Sequence, residues 1–153
     1  MVRAIAPALL LALGLLPGPS SAQSLAAYPL KGLSAFHVSV EGIYGNSCHL
    51  DIDALKSRLS SVLANDEMKI DEDPGSSIVY LNVLPSDRCD AARVDLEVRE
   101  FATVDQTKVR EILTLWSKGW LLPGSAGLVE RVNDAVDRLG RRLAGDWASM
   151  NPR

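Results

Sequence analysis

Few residues in this chain have side chains that could do chemistry, and each type suggests a different site. Cys48 and Cys89 are the only cysteines, and His37 and His49 the only histidines. Two thiols far apart in sequence fit a structural disulfide, a redox pair or two metal ligands. Redox dithiols usually sit close together, as in C-x-x-C, and these do not. A metal site could add His49 to Cys48, but no fourth ligand stands at a recognisable spacing. A disulfide is the simplest reading in an oxidising compartment. Closing a loop of about 42 residues would contribute roughly 4 kcal/mol in the chain-entropy account.

Ser47, His49 and Asp51 offer the residue types of a nucleophile, a base and an orienting acid. Neighbours in sequence do not generally point at one another, however, and a triad is a spatial arrangement. Turn and cap roles are the simpler expectation. Asp71, Asp73 and Gly75 resemble part of a calcium loop, but the twelfth position is Asn82 rather than Glu, so a solvated acidic turn is expected. Gly42-Ile43-Tyr44-Gly45 follows a strand, as a phosphate-binding turn would, without the third glycine. G-x-S-x-G, H-E-x-x-H and P-loop signatures are absent. The expectation is no metal and no cofactor.

The first residues suggest a location. Arg3 precedes an apolar run from Ala4 to Leu16, Pro17-Gly18-Pro19 breaks it, and Ser20-Ser21-Ala22 are small residues of the kind a signal peptidase reads. About 13 apolar residues are too few for the roughly 20 of a spanning helix. Residues 1–22 are therefore read as a signal peptide and the mature chain as periplasmic or secreted. The remainder, about 131 residues, is one domain's worth. It has 15 basic and 19 acidic residues, a formal charge of −4. With no Lys/Arg stripe, nucleic-acid binding is not expected, and no transmembrane segment follows the leader.

The elements that must position these groups alternate in period. After a tether over 23–32, the single domain is read over 33–151. Phe36, Val38 and Val40 alternate with His37, Ser39 and Glu41, a half-buried strand. Asp51 or Asp53 caps a helix carrying Leu55, Leu59, Val62 and Leu63, ending near Asn65. Ile78–Leu84 reads as a central strand, and Arg93–Arg99 alternates again. A hairpin turn over 105–108 leads to a fourth strand, Val109–Lys118, with Leu113 and Leu115 inward. A loop over 119–124 holds Trp120. Ser125 caps a long helix striped by Leu128, Val132, Val136, Leu139, Leu143 and Trp147. The fold class is α+β, with a four-stranded mixed sheet, order β-α-β-β-β-α, both helices on one face and one disulfide. A right-handed crossover makes the first two strands parallel. Cys48 and Cys89 then leave the same edge of the sheet, within bonding reach.

The uncovered sheet face should carry His37, Ile78, Tyr80, Arg99, Ile112 and Trp116. An apolar and aromatic centre edged by charge is characteristic of an interface, with Trp116 and Tyr80 as anchors and His37 as a titratable charge. Either a protein partner or a homodimer docks there, or the N-terminal tether or the Trp120 loop covers Tyr80 and Trp116. The reading is an exported binding or envelope-accessory module without catalytic activity. The alternatives are a small periplasmic hydrolase with a dispersed site and a structural envelope protein.

Leu115-Trp116-Ser117-Lys118-Gly119 and Asp146-Trp147-Ala148-Ser149-Met150-Asn151-Pro152, with Val79–Val83 and Val94–Val98, resemble a family of small secreted proteobacterial proteins of unknown function. That resemblance implies no particular activity. The element order is also similar to periplasmic envelope-accessory domains, such as those of curli-secretion and penicillin-binding-protein activator lipoproteins, although this chain has no lipobox cysteine. Fold alone does not imply function.

Overall fold

A computed structural model describes residues 29–41, 48–73, 75–103, 108–124 and 126–152. The expected signal peptide (1–22), the expected Gly42–Gly45 turn, Ser47, the 105–107 part of the expected hairpin turn and the expected cap Ser125 lie outside the described residues. The elements are β1 (Phe36–Val40), α1 (Ile52–Asn65), β2 (Ser77–Pro85), β3 (Ala91–Thr103), β4 (Arg110–Pro123) and α2 (Leu128–Met150). The sheet order is β1-β2-β3-β4, with β1 and β2 parallel and the other pairs antiparallel. The expected order and fold class hold.

Alternation decides which side is covered. Phe36, Val38, Val79, Leu81, Val83, Val94, Leu96 and Val98 are buried and share one face, packed with Leu55, Leu59 and Leu63 of α1 and Val132, Val136, Leu139 and Leu143 of α2. Both helices therefore cover that face and leave the other open. Asp51 caps α1, its carboxylate accepting from the Ala54 amide at 3.0 Å, as an N-cap aspartate should. The helix closes with Met68 N–H on Leu63 C=O and Glu67 N–H on Ala64 C=O. Glu67 takes the left-handed conformation (φ 68°) that such an ending needs. Gly140 sits where the helices cross: a Cβ there would meet Val62 Cγ1 at 2.9 Å, so glycine sets how closely they approach. Arg58 and Asp137 pair across the same crossing at 2.7 Å.

Cys48 and Cys89 are bonded, with Cα atoms 5.4 Å apart. The tether's last residues are part of the fold. Leu30 is buried, its carbonyl accepts from Asn151 Nδ2 at 3.0 Å, and the Leu33 carbonyl accepts from Trp147 Nε1 at 2.8 Å. This segment packs against the end of α2, not on the open face.

Three expectations fail, all around β4. The strand runs five residues past Lys118, so Gly119–Pro123 is strand and Trp120 stands opposite Val94. The long helix begins at Gly127 (φ 59°) without a side-chain cap. Most consequential is the facing of β4. Val98 pairs with Trp116 but Arg99 pairs with Thr114, leaving Leu115 as an extra residue. Such a bulge flips every side chain beyond it. Trp116 therefore lies on the helix-covered face, 8% exposed, and the expectation that it anchors the open face is wrong. Leu113, expected in the core, is exposed, and Leu115 is only half-buried.

Candidate functional site

On the open face the register lines side chains into rows across the strands. His37 stands beside Ile78, Ile78 beside Arg99 and Arg99 beside Thr114. The next row is Ser39, Tyr80, Glu97 and Ser117; beyond it come Asn82, Asp95 and Gly119, then Leu84, Arg93 and Leu121. On the other side of the His37 row, Phe101 faces Ile112. Five of the six residues expected on this face are therefore together: His37, Ile78, Tyr80 and Arg99 at its centre and Ile112 one row out.

The centre is ordered by its own contacts. Arg99 lies over the Tyr80 ring with Cζ 3.6 Å from the centroid, a cation–π arrangement. Its Nε donates to Glu97 Oε2 at 2.7 Å. The Tyr80 hydroxyl donates to Glu41 Oε2. Burial, this hydrogen bond and the charge of Glu41 push the Tyr80 phenol above its usual value near 10, while Arg99 acts the other way. Tyr80 is thus a neutral donor at physiological pH. His37 Nδ1 and Asn82 Oδ1 are both shielded on this face and have no hydrogen-bond partner among the described residues.

Alongside, Arg93 Nε binds Asp95 Oδ2 at 2.6 Å. A Cβ on Gly119 would fall 2.0 Å from Asp95 Oδ1, so the strand glycine makes room for that carboxylate. Arg93, Asp95 and Ser117–Leu121 border an open hollow of about 570 Å³. Neither the part Glu41 and Glu97 play in holding Tyr80 and Arg99 nor the Gly119–Asp95 fit is visible in the sequence pattern. A strand glycine signals a close approach without naming what approaches.

Trp116 belongs to a different arrangement. Its Nε1 donates to Asp146 Oδ2 on α2 at 3.0 Å, and Asp146 Oδ1 lies 3.3 Å from Arg142 Nε. Trp120, on the same side, borders a depression lined by Arg131, Asp134, Ala135 and Arg138. The remaining candidates play structural parts. Asp51 is the helix cap, and His49 is exposed with φ 56°. Asp71 and Asp73 accept from the amides of Asp73 and Gly75. Among the described residues no three His, Cys, Asp or Glu side chains gather as a metal site, and no helix is long and apolar enough to cross a membrane.

No protein-family model matches the chain, and no curated relative matches it. The resemblance in the last strand and helix is therefore not extended to a family. Among solved structures, a minor lipoprotein from Acinetobacter baumannii is similar at 10% identity, over 78% of this chain and 93% of that one, with a TM-score of 0.38. A likeness of that degree carries no argument about function.

Proposed function

We propose that the chain is an exported binding or envelope-accessory module that works by contact through its open sheet face. One observation carries this reading. The polar centre of the face is fixed in place, with Arg99 held between the Tyr80 ring and Glu97, yet neither helix nor the described end of the tether covers it. The carboxylates of the face are engaged by neighbours: Glu41 by Tyr80, Glu97 by Arg99 and Asp95 by Arg93. Groups neutralised in this way suit recognition better than proton transfer, since a general base must be free to accept a proton from substrate. Export is supported by the leader pattern of residues 1–22 and by the disulfide, a bond that persists in oxidising compartments.

The test compares the immobilised mature chain with its Arg99→Glu variant in envelope extract. The variant loses the Tyr80 and Glu97 contacts and should melt lower, so retention is compared at a temperature where circular dichroism shows both chains folded. A ligand or protein retained by the parent should be lost from the variant. Equal retention by both would contradict the proposal.

A further inference from the structure

We infer that the outer edge of β4 is a self-complementary dimerisation strand, pairing antiparallel with β4 of a second copy about a two-fold axis at Ser117. The inference concerns the outer edge of β4; Ile112 and Leu121 also lie on the open face, but the pairing does not depend on the function proposed for that face.

β4 is the last strand of the sheet, and no described strand lies beyond it. The opposite edge is partly covered: Ile70 bridges Phe36, with the Phe36 amide on Lys69 C=O and the Asp71 amide on Phe36 C=O. A long apolar edge left unpaired invites pairing with another chain. Four large hydrophobic residues of β4 are exposed, two towards each end: Ile112 at 54% and Leu113 at 45%, Trp120 at 41% and Leu121 at 71%. Pro123 marks the end of the usable edge, lacking an N–H and giving its carbonyl to Arg131.

The bulge makes these two ends match. A two-fold interface requires that residue i meet j and j meet i, and in a sheet both must point to the same face. With Ser117 opposite itself, Lys118 meets the second copy's Trp116. Leu115 is skipped as it is against β3, so Gly119 meets Thr114. Trp120 then meets Leu113, both on the helix side, and Leu121 meets Ile112, both on the open side. All four exposed apolar residues find apolar partners, twice over. Were Leu115 counted into the new ladder instead of skipped, Leu121 would meet Leu113, which points to the other face. A foreign strand would need no such internal symmetry, whereas a second copy does. The product is a continuous eight-stranded sheet.

Sedimentation across a range of concentrations tests this, using the parent, Ile112→Lys, Leu121→Glu and the double variant. Both sites are exposed, so each variant should keep the parent's melting behaviour. Each single change sets a charge against an apolar partner at two symmetric places and should raise the dimer dissociation constant about tenfold or more. The double variant places opposite charges face to face and should restore dimerisation. A parent that stays monomeric at millimolar concentration overturns the inference. So does a dimer indifferent to the single changes, or one that the double change does not restore.

Discussion

Trp116 shows how much one residue's facing decides. It is buried against α2 and gives a hydrogen bond to Asp146, so it belongs to the core. Trp116→Ala should cost about 3–5 kcal/mol, comparable with Leu139→Ala in a denaturant melt. Trp116→Phe should cost only about 1 kcal/mol, the usual net worth of a hydrogen bond. A near-neutral Trp116→Ala would restore the open-face placement. Tyr80 gives a second test at this scale. Its phenol is harder to ionise in the folded protein than in the unfolded chain, so the unfolded state releases the proton first as pH rises. The associated stability is complete below pH 10 and lost above it. Urea midpoints should therefore fall more steeply between about pH 9.5 and 11 for the parent than for Tyr80→Phe. Parallel curves would mean that Tyr80 is not held as described.

The elements were legible wherever hydrophobic period and chemistry agreed. β1 and β3 alternate, β2 is a short run apolar on both faces apart from Asn82, α1 carries Asp51 at its cap, and α2 repeats Val132, Val136, Leu139 and Leu143 along one stripe. Those patterns fix the fold class and five of the six open-face residues. β4 was misread because alternation counts residues, and a bulge adds one without changing their types. Nothing in Leu113-Thr114-Leu115-Trp116 says which of them is left out of the ladder; the partner strand decides. The continuation through Gly119 was equally hidden, since its reason is the Asp95 carboxylate across the strand. The bulge assignment predicts that Leu115→Ala costs well under the roughly 2–5 kcal/mol expected of Leu96→Ala or Leu81→Ala. Equal losses in chemical denaturation would place Leu115 in the core and remove the bulge.

At the scale of the whole molecule, two helices and the end of the tether seal one face of the sheet, and a disulfide ties the β1 and β2 ends together. The other face keeps its polar centre ordered with no element of the described residues lying over it, and this asymmetry is the basis of the functional reading. Its most direct test is photo-crosslinking in the compartment where the protein works. A photo-reactive phenylalanine analogue would replace Tyr80 or Leu84 on the open face, with Ser61 and Arg138 on the helix layer as controls. The account predicts discrete adducts from Tyr80 and Leu84 and none from the helix positions. Adducts from Ser61 or Arg138 alone, or none from the sheet face, would contradict it.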